Sequence, residues 1–327
     1  MVKLVTVFGG SGFVGRYVVR RMAKQGWRVR VATRRPNESM FVRTYGAVGQ
    51  VEPVLSNIRD EDSVRRAIAG ADAVVNCVGI LNETGRNSFD AVQHDGAERV
   101  ARIAAEEGVS RLVHLSAIGA DAESESEYKR SKAEGEAGVL AQFKKAVILR
   151  PSVLFGTEDE FFNKFARMTK WGPVLMLVGG NTKMQPVYVD DVAAAAEQAV
   201  LGAAKPGIYE LGGPETATLR ELMVKMLSVI ERRRLIVNLP SWLGSIVAGG
   251  FDLMQSISLG LFTNTLVTRD QVKSLQTDNV VGAKAKGFSQ LGIKPVAMEA
   301  VLDDYLWPYR DSGQYAEIKD SARNLKA

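Results

Sequence analysis

The sequence of residues 5–16 is VTVFGGSGFVGR, an apolar run that continues directly into a Gly-x-x-Gly-x-x-Gly turn. The run predicts a β-strand, and the apolar spacing after the turn predicts an α-helix over residues 14–25. In a turn of this kind Gly9 allows the tight bend, Gly12 lets a diphosphate approach the backbone, and Gly15 permits close contact between helix and strand. The N–H groups that begin the helix bind the phosphates. The stretch therefore predicts a dinucleotide site made of Gly9, Ser11, Gly12, Phe13, Val14, Gly15 and Arg16.

Strands and helices alternate through the first half of the chain. Strands are expected at residues 3–8, 28–33, 73–77, 111–116 and 146–150, and helices at 14–25, 60–69, 89–107 and 128–140. This alternation is typical of βαβ units, so we expect an α/β fold with a doubly wound parallel sheet of the Rossmann type.

The pattern changes after Pro151. Residues 157–186 look irregular apart from a helix near 160–168, Asp190 and Asp191 are expected to cap a helix that ends near residue 203, and a strand and a helix follow at 208–211 and 218–233. We expect residues 1–156 with 183–212 to form the dinucleotide-binding domain. Residues 157–182 with 213–327 are expected to form a smaller C-terminal appendage.

Composition excludes several classes of function. The 327 residues carry a formal net charge of +5, which is too weakly basic to predict a nucleic-acid partner. Cys77 is the one cysteine, so a disulfide within the chain is excluded, and no cluster around His94 or His114 predicts a metal site. Polar residues interrupt the apolar stretch 242–267, and residues 1–8 already predict a strand. We therefore expect neither a transmembrane helix nor a signal peptide.

The end of the second strand determines which dinucleotide is bound. Sites that select NAD place an Asp or Glu there, which accepts a hydrogen bond from the ribose 2′-hydroxyl. Residues 31–36 are VATRRP and contain no acid. Arg34 and Arg35 suit a 2′-phosphate, so NADP(H) is expected in preference to NAD(H). The alternative is that one of these arginines is a solvated surface residue.

Five further segments carry a family resemblance. They are SNIRD at 56–60, VNCVG at 75–79, YKRSK at 128–132, RPSVLFG at 150–156 and PVYVDDVA at 186–193. With the glycine turn, they make residues 1–215 resemble the extended and atypical short-chain dehydrogenase/reductase superfamily. The resemblance implies further cofactor contacts from Asn57, Ile58, Cys77, Val78, Gly79, Tyr128, Lys132, Pro151, Ser152 and Val153.

Segments nearer the C-terminus narrow the resemblance. They include LPSWL at 239–243, DQV at 270–272, TDNVV at 277–281 and YLWPYR at 305–310. They are similar to the bacterial form of the nucleotide-binding accessory subunit of respiratory complex I (NADH:ubiquinone oxidoreductase). That resemblance implies a structural NADPH and partner subunits near the junction of the peripheral and membrane arms. It also implies a peripheral position on the cytoplasmic face of the inner membrane, the alternative being a soluble cytoplasmic protein.

Three side chains bear on whether the protein is an enzyme. Tyr128 and Lys132 lie one helical turn apart and face the same way. In an active reductase the tyrosine gives a proton to the substrate carbonyl and the lysine lowers the tyrosine pKa. Aligned on the extended family, the position of the hydroxyl that orients the substrate falls at Ala117 or Ile118, which lack a hydroxyl; the alternative alignment makes Ser116 that residue. The alternative function is an NADP-dependent reductase or epimerase acting on a sugar nucleotide, an isoprenoid or another carbonyl compound.

Residues 243–261 have apolar side chains at helical spacing. In a reductase such a helix would cover the substrate pocket. In the complex I accessory subunit, residues 242–262 would contact partner subunits and the lipid interface. The basic clusters at 232–234 and 284–286 suit an anionic membrane face or are solvated helix ends. The sequence leaves these alternatives open.

Overall fold

The computed structural model describes residues 2–170, 172–240, 269–311 and 313–315. Its centre is a seven-stranded sheet in which every pair of neighbours is parallel. The first six strands are β1 (Leu4–Phe8), β2 (Arg28–Thr33), β3 (Val51–Leu55), β4 (Ala73–Asn76), β5 (Arg111–Leu115) and β6 (Val147–Pro151). The strands β7 (Leu154–Phe155), β8 (Val174–Val178), β9 (Lys183–Met184) and β10 (Val187–Tyr188) lie outside this sheet, and β11 (Gly207–Leu211) completes it.

The spatial order of the sheet is β11–β6–β5–β4–β1–β2–β3. The chain therefore builds outward in one direction from β1 to β3, then returns to the other side of β1 with β4. In open parallel sheets a crevice forms at the carboxyl ends of the strands where the order reverses, and ligands bind there. We call the space at the carboxyl ends of β1, β4 and β5 the crevice. The expected doubly wound fold is confirmed.

Helices cover both faces of the sheet because alternate strand residues point to opposite sides. They are α1 (Phe13–Lys24), α2 (Glu61–Ile68), α3 (Asp95–Glu106), α4 (Glu127–Gln142), α5 (Phe162–Met168) and α6 (Val189–Leu201), of which all but α5 contact the sheet. Val5 and Val7 face α1 and α6, whereas Phe8 faces α2 and α3. Each fully buried side chain of this size stabilises the fold by roughly 1.5–3 kcal/mol.

A third apolar core lies outside the main sheet. The strand β12 (Ala217–Thr218) pairs with β9, and β13 (Leu235–Leu239) pairs in parallel with β8. Three helices pack here, α5, α7 (Leu219–Val229) and α9 (Glu299–Leu306), and α8 (Arg269–Ser274) precedes α9 in the chain. The Thr218 hydroxyl and the Glu221 carboxylate form a capping box that begins α7.

Two expectations for local structure are wrong. Residues 157–186 are not irregular throughout, because Leu175 and Leu177 of β8 are buried in the third core while Met176 between them is exposed. Asp190 and Asp191 lie in the first turn of α6 and do not cap it, since the N-cap is Tyr188. Asp190 instead receives two hydrogen bonds from Arg21 of α1, at 2.7 and 2.9 Å.

The C-terminal segment returns to the main sheet. Phe288 and Leu291 are 6% and 7% exposed and belong to the core beneath α1 and α6. The division into two domains stays a prediction. Phe288 and Leu291, which are expected to belong to the C-terminal appendage, contact the core of the main sheet. The expected amphipathic helix at 243–261 lies outside the described residues. No helix among the residues that are described is both long and apolar enough to cross a membrane.

Candidate functional site

The glycine turn joins β1 to α1 through close backbone contacts. Gly9 has φ +71°, a conformation that residues with a side chain rarely adopt, and its N–H donates to Ala32 O at 3.1 Å. Gly12 N–H donates to Gly9 O at 2.9 Å. A Cβ on Gly15 would lie 2.2 Å from Gly9 O, so only glycine lets α1 approach the turn so closely. The turn has the packing that a dinucleotide-binding motif requires.

The first turn of α1 offers backbone donors to a ligand. Gly12 is the N-cap, no side chain of the residues described in the structure caps the helix, and its first turn contains no acid. The first intrahelical bond runs from Arg16 N–H to Gly12 O at 3.1 Å, so the N–H groups of residues 13–15 precede it. Phe13 and Val14 pack partly against the core and fix the start of the helix. These donors and the helix dipole fit a diphosphate.

Arg16 is paired with a residue that sequence reasoning did not place here. Its Nη1 donates to Glu158 Oε1 at 3.0 Å, and its Nη2 donates to Ser11 O at 3.2 Å. Glu158 also accepts a hydrogen bond from Tyr17 at 3.0 Å. The guanidinium is thereby held beside the glycine turn.

The end of β2 lies beside the glycine turn. Thr33 Oγ1 is the common partner of Ser11 Oγ at 3.4 Å and Ser39 Oγ at 3.3 Å. Arg34 Nη1 donates to the neutral Asn87 Oδ1 at 3.3 Å. Arg35 pairs with Glu38 at 3.2 Å, but both side chains are more than two-thirds exposed, so this pair is weak. Both arginines can therefore turn toward an anionic ligand.

Asn57 and Ile58 follow β3 on the same side of the sheet. Ile58 is 7% exposed and packs against α3, where a Cβ on Gly96 would approach it to 3.0 Å. Asn57 Oδ1 accepts from Arg59 N–H at 3.2 Å. This bond holds the Asn57 amide in a local turn, so an adenine amino group would share its oxygen with the backbone.

The end of β4 lies against the glycine turn and against α4. A Cβ on Gly9 would lie 3.2 Å from the backbone of Cys77, and one on Gly79 would lie 3.1 Å from Lys132 Nζ. Val78 packs partly against the core that Phe8 forms with α2 and α3. Burial raises the pKa of the Cys77 thiol to about 12, so the thiol stays protonated at neutral pH. The segment 77–79 therefore lies between the glycine turn that begins α1 and Lys132 of α4.

Tyr128 and Lys132 lie in the first two turns of α4, as their spacing predicts. Lys132 Nζ lies 5.8 Å from the centre of the Tyr128 ring and donates to Leu115 O at 3.5 Å. Burial lowers the pKa of Lys132 to about 8, against the opposing charge of Glu136. Burial and the Asp270 carboxylate raise the pKa of Tyr128 to about 12. The Tyr128 ring also packs edge-to-face on Phe89, with centroids 5.9 Å apart.

Three buried polar atoms at or near the end of β5 and α4 lack a hydrogen-bond partner within the described part of the chain. They are Ser116 Oγ, Gln93 Oε1 and His114 Nε2. Ser116 follows the Leu115 carbonyl that Lys132 contacts, so it lies at the crevice. Buried polar groups normally have partners, and an orphaned hydroxyl here fits a ligand that supplies one.

The residues after β6 complete the crevice on its other side. Pro151 O accepts from Ile118 N–H at 3.0 Å, which joins β6 to the loop after β5. Ser152 Oγ donates to Asn279 Oδ1 at 2.5 Å, and Val153 packs against the third core. Sequence reasoning missed the contributions of Asp270 and Asn279, which are more than 120 residues from their partners in the chain. The only signal was that both belong to segments of the family resemblance.

The comparison with known proteins agrees with this arrangement. Residues 5–212 match the sequence profile of the NAD-dependent epimerase/dehydratase family. The chain belongs to this family. The family binds a nicotinamide dinucleotide, and the expected resemblance to short-chain dehydrogenases/reductases is confirmed. The choice between NADP and NAD stays a prediction.

Two curated relatives of the chain are instructive. The chain is 36% identical over 316 residues to "NADH dehydrogenase [ubiquinone] 1 alpha subcomplex subunit 9, mitochondrial" from Arabidopsis thaliana, covering 95% of this chain and 79% of the plant protein. It is 30% identical over 191 residues to a ceramide reductase from Caulobacter vibrioides, covering 58% of this chain and 59% of the enzyme. The likeness to the complex I accessory subunit is confirmed, and its bacterial form stays a prediction.

A solved structure of the same fold extends the comparison to three dimensions. An NADPH-dependent quinone oxidoreductase from Escherichia coli, solved with NADPH, superposes with a TM-score of 0.70 over 92% of this chain and 98% of its own. Its sequence is 17% identical, so this likeness concerns the fold alone.

Proposed function

We propose that the protein holds NADP(H) in the crevice as a structural cofactor and serves as an accessory or assembly protein of respiratory complex I. The observation that carries this proposal is the 36% identity to a complex I subunit along 95% of the chain. Its partners would then be complex I subunits near the junction of the peripheral and membrane arms. Its position would be peripheral, on the cytoplasmic face of the inner membrane.

The residues around the crevice fit this cofactor. The turn at Gly9, Gly12 and Gly15 and the uncapped start of α1 suit the diphosphate. Arg34 and Arg35 suit the 2′-phosphate, because guanidinium groups form charge-assisted hydrogen bonds with phosphate. Tyr128 and Lys132 would hold the nicotinamide ribose. When bound, the cofactor supplies a nicotinamide that can exchange a hydride.

The electrostatics of Tyr128 support holding rather than turnover. A tyrosine that donates a proton in catalysis works best when its pKa is lowered toward the working pH. Here burial and the nearby Asp270 carboxylate raise that pKa to about 12.

Gentle purification from native membranes tests the proposal directly. We expect the protein to migrate with NADH:quinone oxidoreductase on native gels and to release NADP(H) on denaturation, identified by mass spectrometry. A protein that migrates apart from this complex after mild solubilisation would contradict the accessory role. Recovery of NAD(H) alone would contradict the nucleotide assignment.

Arg34 and Arg35 test the nucleotide assignment in the purified protein. Replacing both by alanine removes two partners of a phosphate, each worth roughly tenfold or more in affinity for a charged group. We expect NADP(H) binding to weaken about a hundredfold in calorimetry, with NAD(H) binding little changed. Arg43→Ala, an exposed arginine of the adjacent short helix at 37–45, is the matched control. An equal loss for both nucleotides would refute the assignment.

The second candidate is an NADP-dependent reductase or epimerase that acts on a carbonyl compound. The orphaned Ser116 Oγ favours it, because this hydroxyl could donate a hydrogen bond to a substrate carbonyl oxygen. This function requires oxidation of the nicotinamide with some substrate and the loss of that activity in Tyr128→Phe. Activity that survives in Tyr128→Phe would remove the candidate.

A further inference from the structure

Residues 269–279, which we call the strap, connect separate walls of the crevice. Gln271 Nε2 donates to Asn82 Oδ1 at 3.2 Å, in the loop after β4. Ser152, after β6, donates to the side chain and carbonyl of Asn279. Between these points Val272 is 1% exposed, so the strap is packed into the protein rather than lying loosely on it.

The start of the strap holds the first turn of α4. Asp270 accepts from Ser126 Oγ at 2.8 Å, from Glu127 N–H at 2.7 Å and from Tyr128 N–H at 3.3 Å. Ser126 is itself the N-cap of α4, accepting from Lys129 N–H at 3.4 Å. One carboxylate thus satisfies N–H groups that a helix leaves unpaired, and its charge lies at the positive end of the helix dipole.

A second set of contacts joins the strap to the same turn. Ser274 Oγ lies 2.9 Å from Ser126 Oγ, and Lys129 Nζ donates to Ser274 O and to Thr277 Oγ1. The other end of the strap is fixed by Asp278, which accepts from Lys183 N–H at 2.9 Å. The first turn of α4 therefore cannot move away from the crevice without breaking bonds to the strap.

We propose that the strap retains the dinucleotide, with Asp270 as the positioning residue that holds Tyr128 and Lys132 in place around its nicotinamide half. This inference rests on the proposed function, since it presumes that the crevice holds a dinucleotide. Release then requires the strap, α4 and the loop after β6 to separate.

The rate of dinucleotide release tests the strap. Protein loaded with NADPH is mixed with excess NADP⁺, and the loss of NADPH fluorescence is followed by stopped flow. Asp270→Asn keeps the shape of the side chain but removes its charge and one acceptor, so we expect release at least about tenfold faster. Asp270→Glu should restore part of the slow release. Asp303→Asn is the matched control, because Asp303 on α9 pairs with Arg310, outside the crevice.

Two further measurements separate this role from general stability. Hydrogen exchange at Glu127 and Tyr128 should become faster in Asp270→Asn, and the faster release should persist at temperatures well below the unfolding midpoint of the nucleotide-free variant. Wild-type release rates in Asp270→Asn would overturn the inference and leave the proposed function intact. Wild-type protein that binds no dinucleotide would overturn the proposed function and this inference with it.

Discussion

Alanine at Gly15 is predicted to damage the protein in a way that alanine at Gly12 does not. A Cβ on Gly15 would lie 2.2 Å from Gly9 O, 2.6 Å from Gly10 Cα and 2.8 Å from Gly9 C. Ordinary contacts of this kind begin near 3.4 Å, so the closest is about 1.2 Å too short. All three neighbours are backbone atoms, which cannot rotate aside. The turn and α1 must therefore separate by roughly 1 Å.

The cost of that separation follows from the packing. Overpacking of this kind costs typically 1–3 kcal/mol, and we expect about 3 kcal/mol in the free energy of unfolding because no flexible side chain relieves it. The shift also moves the N–H groups at the start of α1. Because a charge-assisted hydrogen bond contributes roughly 1.5–3 kcal/mol, losing even one or two weakens dinucleotide binding by about a hundredfold.

Gly12 and Gly172 provide the matched comparison. A Cβ on Gly12 would meet one atom, Gly9 O at 3.2 Å, and its φ of −76° suits alanine. Gly12→Ala should therefore leave the free energy of unfolding within about 1 kcal/mol of wild type, yet place a methyl group where the diphosphate binds. In the described residues a Cβ on Gly172 meets nothing within 4 Å, so Gly172→Ala should change neither property.

Denaturant unfolding of nucleotide-free protein measures the first effect, provided that the variants share one m-value, and calorimetry measures the second. The reasoning is refuted if Gly15→Ala unfolds and binds like wild type. It is also refuted if Gly12→Ala binds the dinucleotide normally, because the turn would then not contact the diphosphate.

Three further predictions concern buried ionisable groups. The folded pKa of Lys132 is about 8, below its value in the unfolded chain, so the free energy of unfolding of wild type should rise from pH 8 to 10.5. Nucleotide-free Lys132→Met should therefore be more stable than wild type at pH 7, by up to about 3 kcal/mol. Urea titrations should show that this advantage is gone above pH 10.5. Since burial lowers the pKa of His114 to about 3, wild type should lose about 2–3 kcal/mol between pH 6.5 and 4.5, a loss that His114→Asn should not show in the same titrations. Arg150→Met should cost about 3–5 kcal/mol by leaving the buried Glu136 carboxylate without its 2.6 Å partner, and Glu136→Gln in the same chain should recover part of this in thermal unfolding.

Each of these three predictions has a contradicting result. If the free energies of unfolding of wild type and Lys132→Met change in parallel from pH 7 to 10.5, burial does not oppose the charge of Lys132. A wild-type acid slope that persists in His114→Asn would assign the loss to other groups. Arg150→Met with wild-type stability would show that solvent reaches Glu136.

Local sequence patterns predicted much of the sheet. The run before Gly9 and the β-branched runs ending at residues 33, 77, 116 and 150 are strands because their side chains are buried on both faces of a parallel sheet. The strand at Val51–Leu55 escaped notice because Glu52 and Pro53 interrupt its apolar pattern. The strand β8 was not predicted, because only its pairing with β13, some sixty residues later, shows which of its residues are buried.

The candidate site was predictable only where its residues are close in sequence. The glycine turn and the Tyr128–Lys132 pair each lie within one helical turn or tight bend, so their spacing determines their geometry. Asp270 reaches Ser126 across 144 residues, and no local pattern contains that information. The pairing of Arg16 with Glu158, 142 residues away, was hidden for the same reason.

The return of Phe288 and Leu291 to the sheet has a consequence for synthesis on the ribosome. All seven strands have been translated at Leu211, yet the apolar surface beside α6 and β11 still lacks Phe288, 77 residues later. At elongation rates of about 5–20 residues per second this gap lasts roughly 4–15 s. During that time the nascent chain displays an incomplete hydrophobic surface, so a truncated message would yield a product that chaperones or proteases recognise.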